Sequence, residues 1–332
     1  MSFLSVLIVT FNNELTIRDC LSSLQRQSWK DSEIVLVDND STDGTRDVVD
    51  TIQTLSPFPI KRFYLDRNLG FAGGNNFGLQ HASGTYIALL NPDGIADPLW
   101  LEKLSSAMDE HREVGVCASK MIAYGINRID SAGDGYATSL KGFKRGEGES
   151  IEGYRKPEFV FGACAGAGLY RKTMLDQIGF FDPDFFLIHE DTDLNFRAQL
   201  AGWKILYVPE AIVYHKVRSS IGPMSDLAVY YTLRNSELVR IKNVPWPFFL
   251  FCLPEFIISL FTEFFYFGIR HRRIRLFSRA KRDVLRILPA TLRKRRAIMK
   301  RRRVKNGGLF KIMTPVWERD FFEKKLKKLF QG

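Results

Sequence analysis

An α/β fold on a mostly parallel sheet, followed by a helical extension, is what this chain of 332 residues predicts. Short apolar runs of strand length alternate with stretches of helical period through about residue 220. Within the runs nearly every position is apolar, which is the pattern of strands covered on both faces. Beyond residue 220 the alternation stops, and long aromatic-apolar and basic stretches take over. Repeated strand–helix units of the first kind give a parallel sheet with helices on both sides.

Each element follows from its own residues. Ser5–Thr10 is a continuous apolar run and reads as the first strand. Asn12–Gln27 carries Leu15, Ile17, Leu21 and Leu24 at helical spacing. Glu33–Asp38 is a second buried strand, and Thr42–Thr54 a helix opened by the capping residues Ser41 and Asp43. Lys61–Leu65 is a short third strand, and a glycine- and asparagine-rich loop over Asn68–Asn76 leads into a short helix. Thr85–Leu90 is the fourth strand, Pro98–Met108 the helix behind it, and Val114–Ser119 the fifth strand. From Met121 to Pro157 the sequence loosens into glycine-rich, charged segments that read as a long functional loop. Phe159–Tyr170 returns to strand-like and small residues, Asp191–Ala201 is a helix closing on Gly202, and Lys204–Val208 is another strand before Val213-Tyr214-His215. A boundary near Ser220 divides the chain into residues 1–220 and 221–332.

A hydrophobic fraction of 45% argues for globular structure rather than disorder. The net charge of +11 is concentrated after Arg270, in RHRRIRLFSRAKRD and RKRRAIMKRRRVK, and calls for an anionic partner. Cys20, Cys117, Cys164 and Cys252 form no CxxC pair, so they read as reduced, packed thiols of a cytoplasmic protein. No signal peptide is expected, since Ser5–Thr10 is too short and lacks a basic flank. Pro245–Gly268 has membrane length, but Glu255, Glu263, Pro247 and Pro254 interrupt it. A charge at the bilayer centre costs about 2.5–3.5 kcal/mol on insertion scales. The favoured reading is therefore a helix in the interface or re-entering it, ahead of a true span or a buried helix pair.

Two acidic sites stand out. Asn91-Pro92-Asp93 follows the fourth strand, so the Asp93 carboxylate falls at the strand's C-terminal end, where open α/β sheets bind ligands. About a hundred residues later comes His189-Glu190-Asp191-Thr192-Asp193. One site holding a metal-bound diphosphate and a general base would account for both. Gly70, Gly73 and Gly74 would allow backbone N–H groups close approach to a ligand. The loop lacks the GxxxxGK[ST] pattern, which argues against a phosphoryl-transfer NTPase.

LIVTFNN, VDNDSTDGT, NLGFAGGNN, NPD, HEDTDLNFRAQLAGWK and VYHK occur in this order over residues 3–220. Together they resemble the family-2 inverting glycosyltransferases of the GT-A (Rossmann-like) fold, and within them the bacterial rhamnosyltransferase-type enzymes of surface polysaccharide synthesis, O-antigen among them. The resemblance implies a nucleoside-diphosphate sugar as donor, dTDP-L-rhamnose first and UDP-hexoses or UDP-galactofuranose next. It implies that Asp38 holds the nucleobase, Thr10 and Asn12 lining the crevice, with a cap on the next helix as the lesser reading of Asp38. Asn68, Gly70, Gly73, Asn75 and Asn91 fall on its donor-binding segments.

The family signature is Asp-x-Asp, and here Asn91 holds the first position, so Asp93 alone supplies a charged ligand for Mg2+ or Mn2+. The resemblance makes His215 a further metal ligand, with a hydrogen-bonded histidine in the crevice wall as the alternative. Lys216 and Arg218 are candidate diphosphate contacts. Asp191, beside Glu190, is implied as the general base. Asp193 is expected to orient the helix by pairing with Arg197, or to bind acceptor. Trp203 is a candidate for stacking on an acceptor sugar, with core packing as the plainer reading.

Residues Asp226–Ile241 read as a helix packing back on the catalytic part. The aromatic stretch followed by Lys/Arg matches a peripheral or monotopic anchor on an anionic leaflet, on the cytoplasmic face of the plasma membrane. A polyprenyl-diphosphate-linked glycan is the expected acceptor. No nucleic-acid-binding pattern gives the basic tail shape, so nucleic acid is not an expected partner. A nucleotidyltransferase would need a basic loop near the first strand, and Thr10-Phe11-Asn12-Asn13 offers none. A non-catalytic membrane scaffold keeping the fold is the remaining rival.

Overall fold

The structure, a computed structural model, describes residues 3–53, 59–216 and 224–318. Strands β1 (Leu4–Thr10), β2 (Ser32–Asp38), β3 (Ile60–Tyr64) and β4 (Tyr86–Leu90) alternate with helices α1 (Glu14–Gln25), α2 (Thr45–Gln53) and α3 (Gly70–Gln80). Next come β5 (Gly94–Ala96), α4 (Trp100–Glu110), β6 (Val114–Ala123), β7 (Arg128–Ala132), β8 (Asp134–Tyr136), β9 (Gly142–Lys144), β10 (Glu158–Val160) and β11 (Ala167–Arg171). Helices α5 (Lys172–Ile178) and α6 (Glu190–Ala201) precede β12 (Lys204–His215). Four helices complete the described chain: α7 (Asp226–Asn243), α8 (Trp246–Glu263), α9 (Ile274–Arg301) and α10 (Asn306–Ile312).

The main sheet runs β10-β12-β6-β11-β4-β1-β2-β3, with β5 on β12 and β7 on β6. Strands β4, β1, β2 and β3 are mutually parallel, as are β12 and β6, while β11 enters antiparallel between β4 and β6. Alternate residues of β1 serve opposite faces. Leu4, Val6 and Ile8 pack with Ile17, Leu21 and Trp100, whereas Leu7 packs with Ala72, Val116 and Tyr170. Both faces are therefore apolar, which is why these strands read as unbroken apolar runs.

The structure differs from the sequence reading in three places that matter to the site. Within the Asn68–Asn76 segment, α3 already begins at Gly70, so most of it is helix rather than loop. A Cβ on Gly74 would lie 2.6 Å from Val9 and one on Gly78 3.3 Å from Val37, so these glycines let the helix sit close on β1 and β2. The stretch read as a long loop after Met121 continues β6 to Ala123 and then forms β7, β8 and β9. Finally, Lys204–Val208 and Val213–His215 form one strand, whose pairing with β6 shifts register between Val208 and Ile212.

The C-terminal helices share a core with the sheet portion. Tyr136, Phe161, Phe196 and Leu200 pack in one cluster with Leu238, Val244, Phe248 and Val284. Polar groups reinforce that seam. Lys242 on α7 bonds Asp182 at 2.6 Å and Asp193 at 2.9 Å, and Lys294 on α9 bonds Asp182 and Asp184, each at 2.6 Å. Helix α8 continues as a π-helical turn (Phe264–Arg270), and Trp246–Arg270 together is 25 residues long, with mean hydropathy 1.8 over its most apolar 18 residues. It is long and apolar enough to cross a membrane.

Candidate active site

Parallel strands deliver their C-terminal ends to one edge of the sheet. Thr10 ends β1 and Asp38 ends β2, and the two are register partners. Arg46 Nε and the Ser41 N–H donate to Asp38 Oδ2 at 2.7 and 3.1 Å. Asp38 Oδ1 and Thr10 Oγ1 are buried and have no hydrogen-bond partner among the described residues. Asn12 stands just beyond, at φ 54°, with its Oδ1 accepting from the Thr42 N–H at 2.8 Å.

The asparagines and glycines of the next segment hold the crevice wall. Asn68 Oδ1 accepts from Asn39 Nδ2 at 2.9 Å and from the Gly70 N–H at 2.7 Å. Gly70 has φ +72° and lies against Phe186, where any Cβ would clash. A Cβ on Gly73 would meet Leu69 at 2.7 Å, and Asn75 Nδ2 donates to the Phe71 carbonyl at 2.9 Å. The side chains of Asn68 and Asn75, and the glycines between them, are engaged in helix and turn packing.

Asp93 and His215 meet because β5 pairs antiparallel with β12, opposing Gly94 to His215. His215 Nε2 lies 3.3 Å from Asp93 Oδ1, and its Nδ1 lies 2.9 Å from Asp130 Oδ2. Lys144 Nζ donates to both Asp130 oxygens at 2.8 and 2.9 Å. Burial works against the charged imidazolium, but the Asp130 and Asp93 carboxylates outweigh it and raise His215 to about 9. Burial likewise disfavours the Asp130 carboxylate, yet His215 and Lys144 bring it down to about 2.

Asp191 lies in the first turn of α6. The Thr192 N–H donates to its Oδ1 at 2.6 Å, and the Ala165 N–H to its Oδ2 at 3.3 Å. One residue on, the Gly166 carbonyl accepts from the Asn91 N–H at 2.9 Å. The Ala165–Gly166 dipeptide thus touches the segment bearing Asp93 and the helix bearing Asp191. The two acidic motifs lie at the same sheet edge.

Asp134 and Cys164 complete this side, their ligand atoms and that of Asp191 lying within 4.8 Å of one another. Burial and the Asp191 charge push Asp134 up to about 7. Glu190 is the other acid of the pair. It is buried, its Oε2 has no hydrogen-bond partner among the described residues, and burial with the Asp191 charge raises its carboxyl well above the usual range.

Asp93 and His215 suit a divalent cation such as Mg2+ or Mn2+. They offer a carboxylate oxygen and, once a cation displaces the Nε2 proton, an imidazole nitrogen side by side, and Asp130 holds the second ring nitrogen as carboxylates do behind ligating histidines. The Asp134–Cys164–Asp191 group suits one poorly. Burial and the Asp134 charge keep the Cys164 thiol neutral, and Lys144 supplies that group with positive charge.

At the remaining expected positions the acceptor roles of Asp193 and Trp203 are corrected, while the expected Asp193–Arg197 pair and the packing of Trp203 are present. Asp193 is not presented to an acceptor: it is fully buried and bonded to Arg197 at 2.8 Å, Lys242 at 2.9 Å and Asn243 at 2.7 Å. Trp203 stands at the far end of the sheet, next to Lys204, which opposes Val114 at the start of β6. Its indole N–H donates to Gln177 at 2.8 Å, so it packs rather than reaching Asp191. Lys216 pairs with Asp19 at 2.5 Å, and its backbone N–H donates to the Asp93 carbonyl at 2.9 Å. Arg218 lies outside the described residues. Asp130, Asp134, Lys144 and Arg46 were not foreseen, and the only signal for the first two was a pair of acids in the otherwise small-residue run Ile129–Gly135.

Residues 5–179 match the family described as glycosyl transferase family 2. A dolichyl N-acetyl-alpha-D-glucosaminyl phosphate diacetamido-dideoxy-glucuronosyltransferase of Methanococcus voltae is 26% identical, over 88% of this chain and 93% of its own. An uncharacterized glycosyltransferase of Nostoc sp. is 28% identical over 67% of each chain. Among solved structures, S. aureus TarS 1-349 in complex with UDP-GlcNAc aligns with TM-score 0.58 and 20% identity over 90% of each chain. The mannosyltransferase PcManGT from Pyrobaculum calidifontis in complex with GDP-Man and Mn2+ aligns with TM-score 0.55 and 14% identity over 96% of this chain and 88% of its own. Such likenesses carry the GT-A fold; the family match covers most of the sheet and the Asp93 motif, and the chain belongs to glycosyl transferase family 2.

Proposed function

We propose that this glycosyltransferase moves a sugar, with inversion, from a nucleoside diphosphate to a saccharide carried on a polyprenyl diphosphate. The observation that carries the reading is the meeting of the Asp93–His215 pair and Asp191 at one sheet edge, through Ala165 and Gly166. Inversion needs a carboxylate opposite the leaving group, able to take the acceptor hydroxyl's proton as the new C–O bond forms. Asp191 is assigned that role. Its neighbour Glu190, buried and pushed toward the neutral form, adds little competing charge.

On the donor side, Asp38 Oδ1 and Thr10 Oγ1 are the acceptors a nucleobase N–H would satisfy. Asp93 and His215 would hold a divalent cation, which supplies charge stabilisation for the departing diphosphate. Asp130 orients His215, and Lys144 balances Asp130. Lys216 and Arg218 remain candidates for the diphosphate. The preference for dTDP-L-rhamnose rests on the motif resemblance. The solved neighbours were captured with UDP-GlcNAc and GDP-Man, which keeps UDP-hexoses as the next candidates.

A lipid-linked acceptor fits both the relatives and the surface. One relative is named for a dolichyl-phosphate-linked sugar, and another, from Campylobacter jejuni, for a PP-undecaprenol-linked one. On α8, Leu250, Phe251 and Phe261 are 65%, 66% and 69% exposed, and the basic α9 follows. Such a face supports attachment to an anionic membrane, with residues 1–220 catalytic and 221–332 docking at the cytoplasmic leaflet. A thermal-shift panel of nucleoside diphosphates and sugar nucleotides with and without Mn2+ tests the reading. A rise with one nucleotide, larger with the metal, is expected; no response to any of them would overturn it.

A further inference from the structure

A partly open cavity of about 120 Å3 lies between the first turn of α6, the middle of α7 and the π-helical turn after α8. Lys141, His189, Thr192, Thr232, Ser236 and Glu263 line it with amine, imidazole, hydroxyl and carboxylate groups, and Phe267 adds an aromatic face. A water-sized position needs roughly 10–15 Å3, so the space suits a sugar ring rather than a nucleotide. Hydroxyl-matching polar groups beside one aromatic face are the chemistry by which a saccharide is held.

The cavity wall reaches the proposed base through Thr192. His189 Nδ1 lies 3.3 Å from Thr192 Oγ1, and that hydroxyl lies 3.3 Å from Asp191 Oδ1. On the opposite wall Glu263 pairs with Lys141 at 3.2 Å and with Lys281 at 3.0 Å. The paired carboxylate and ammonium groups offer both acceptors and donors to ring hydroxyls lying against them. Glu263 and Phe267 belong to the long apolar helix whose neighbouring residues Phe261 and Phe265 are 69% and 57% exposed. A prenyl chain lying along that surface would bring its first sugar to this opening.

We propose that this cavity, built jointly by α6 and the appended helices, is the acceptor subsite and takes a monosaccharide carried on a polyprenyl diphosphate. The inference rests on the glycosyl-transfer reading and names the acceptor's place within it. The test uses the full chain in detergent, with polyprenyl-diphosphate-linked N-acetylglucosamine, glucose and galactose as acceptors and the sugar nucleotide selected by the thermal-shift panel as donor. Ser236→Leu should fill the cavity and raise the acceptor KM at least tenfold, or abolish transfer. Thr232→Val keeps shape while removing a hydroxyl, and should raise the acceptor KM about fivefold, the loss of one hydrogen bond. Both variants should bind the nucleoside diphosphate with Mn2+ as the wild type does by calorimetry, which also shows that they are folded.

Unchanged acceptor KM in variants that still bind donor would overturn the subsite. Failure of the wild type to bind or use any sugar nucleotide would instead remove the transfer reading beneath it. The two failures are read from different proteins.

Discussion

The side-chain amide nitrogen of Asn235, in the middle of α7, lies 2.7 Å from the carbonyl oxygen of Ile188. It also lies 2.8 Å from each of the Phe185 and Leu187 carbonyls, while Arg234 donates to the Asp184 carbonyl at 2.7 Å. The turn they grip is unusual: Phe186, Ile188 and His189 have φ of 58°, 65° and 71°. Such conformations cost about 1–3 kcal/mol each and persist only where the surroundings enforce them. Immediately after them come Glu190 and Asp191, so the appended helix fixes the approach to the proposed base.

Asn235→Ala should therefore lower kcat more than it weakens donor binding. A misplacement of the base by about 1 Å costs on the order of a hundredfold in rate. Leaving buried carbonyls unpaired should also cost about 1–3 kcal/mol of stability. Steady-state kinetics beside a denaturant titration separates the two effects. A variant that loses stability yet keeps kcat would show that the grip serves folding alone.

Asp191→Asn keeps the size and most hydrogen bonds of the side chain while removing its basicity. Transfer should fall by about 10²–10⁴, the range for loss of a general base, with donor affinity nearly unchanged. Product analysis with radiolabelled donor and calorimetry with the nucleoside diphosphate read the two quantities. Loss of donor affinity together with rate would contradict the assignment.

Asp130 tests the other half of the site. Asp130→Asn leaves the Asp93 and His215 side chains in place but removes the carboxylate that holds His215 Nδ1 at 2.9 Å. Metal-dependent donor affinity should weaken by about 10–100-fold, as for other carboxylates behind ligating histidines. Affinity measured without metal should change far less. Equal losses with and without Mn2+ would mean that the Asp93–His215 pair does not bind the cation.

Asp130 also marks where sequence reasoning stops. Strands β1, β2 and β4 were legible because burial on both faces leaves an unbroken apolar signature, and Asp93 followed from the end of β4. Strands β7 to β9 gave no such signature. They are short and rich in small and polar residues, and what they bring together, Asp130 with His215 and Lys144, is separated by 85 and 14 residues along the chain. The first turns of helix α3 were hidden for the opposite reason. Its glycines suit a loop, and only the closeness of Val9 and Val37 explains why a helix needs them there. Asp193 illustrates a further limit: its pairing with Arg197 was readable from the helix spacing, but not that Lys242 and Asn243, 49 and 50 residues away, also close over it.

The seam between the sheet portion and the C-terminal helices should make stability depend on acid. Burial opposes the Asp182 charge, but Lys242 and Lys294 prevail and bring its carboxyl down to about 2. Asp193, fully buried, is likewise lowered by Lys242 and Arg197 against its desolvation. A carboxyl whose folded pKa lies below its unfolded value of about 3.9 stabilises the fold fully above that value. The contribution fades as pH falls from about 4 toward 2, because the unfolded chain then binds protons that the folded one still refuses. For Asp182 alone, linkage gives roughly 2 kcal/mol at neutral pH. Lys242→Met should remove the cation shared by both acids and leave buried charge short of a partner, at a cost of about 3–5 kcal/mol. The acid-unfolding midpoint of that variant should move upward in pH. Denaturant titrations of wild type and variant between pH 2 and 7 measure both effects. Equal acid midpoints would mean that Lys242 contributes packing rather than charge to this seam.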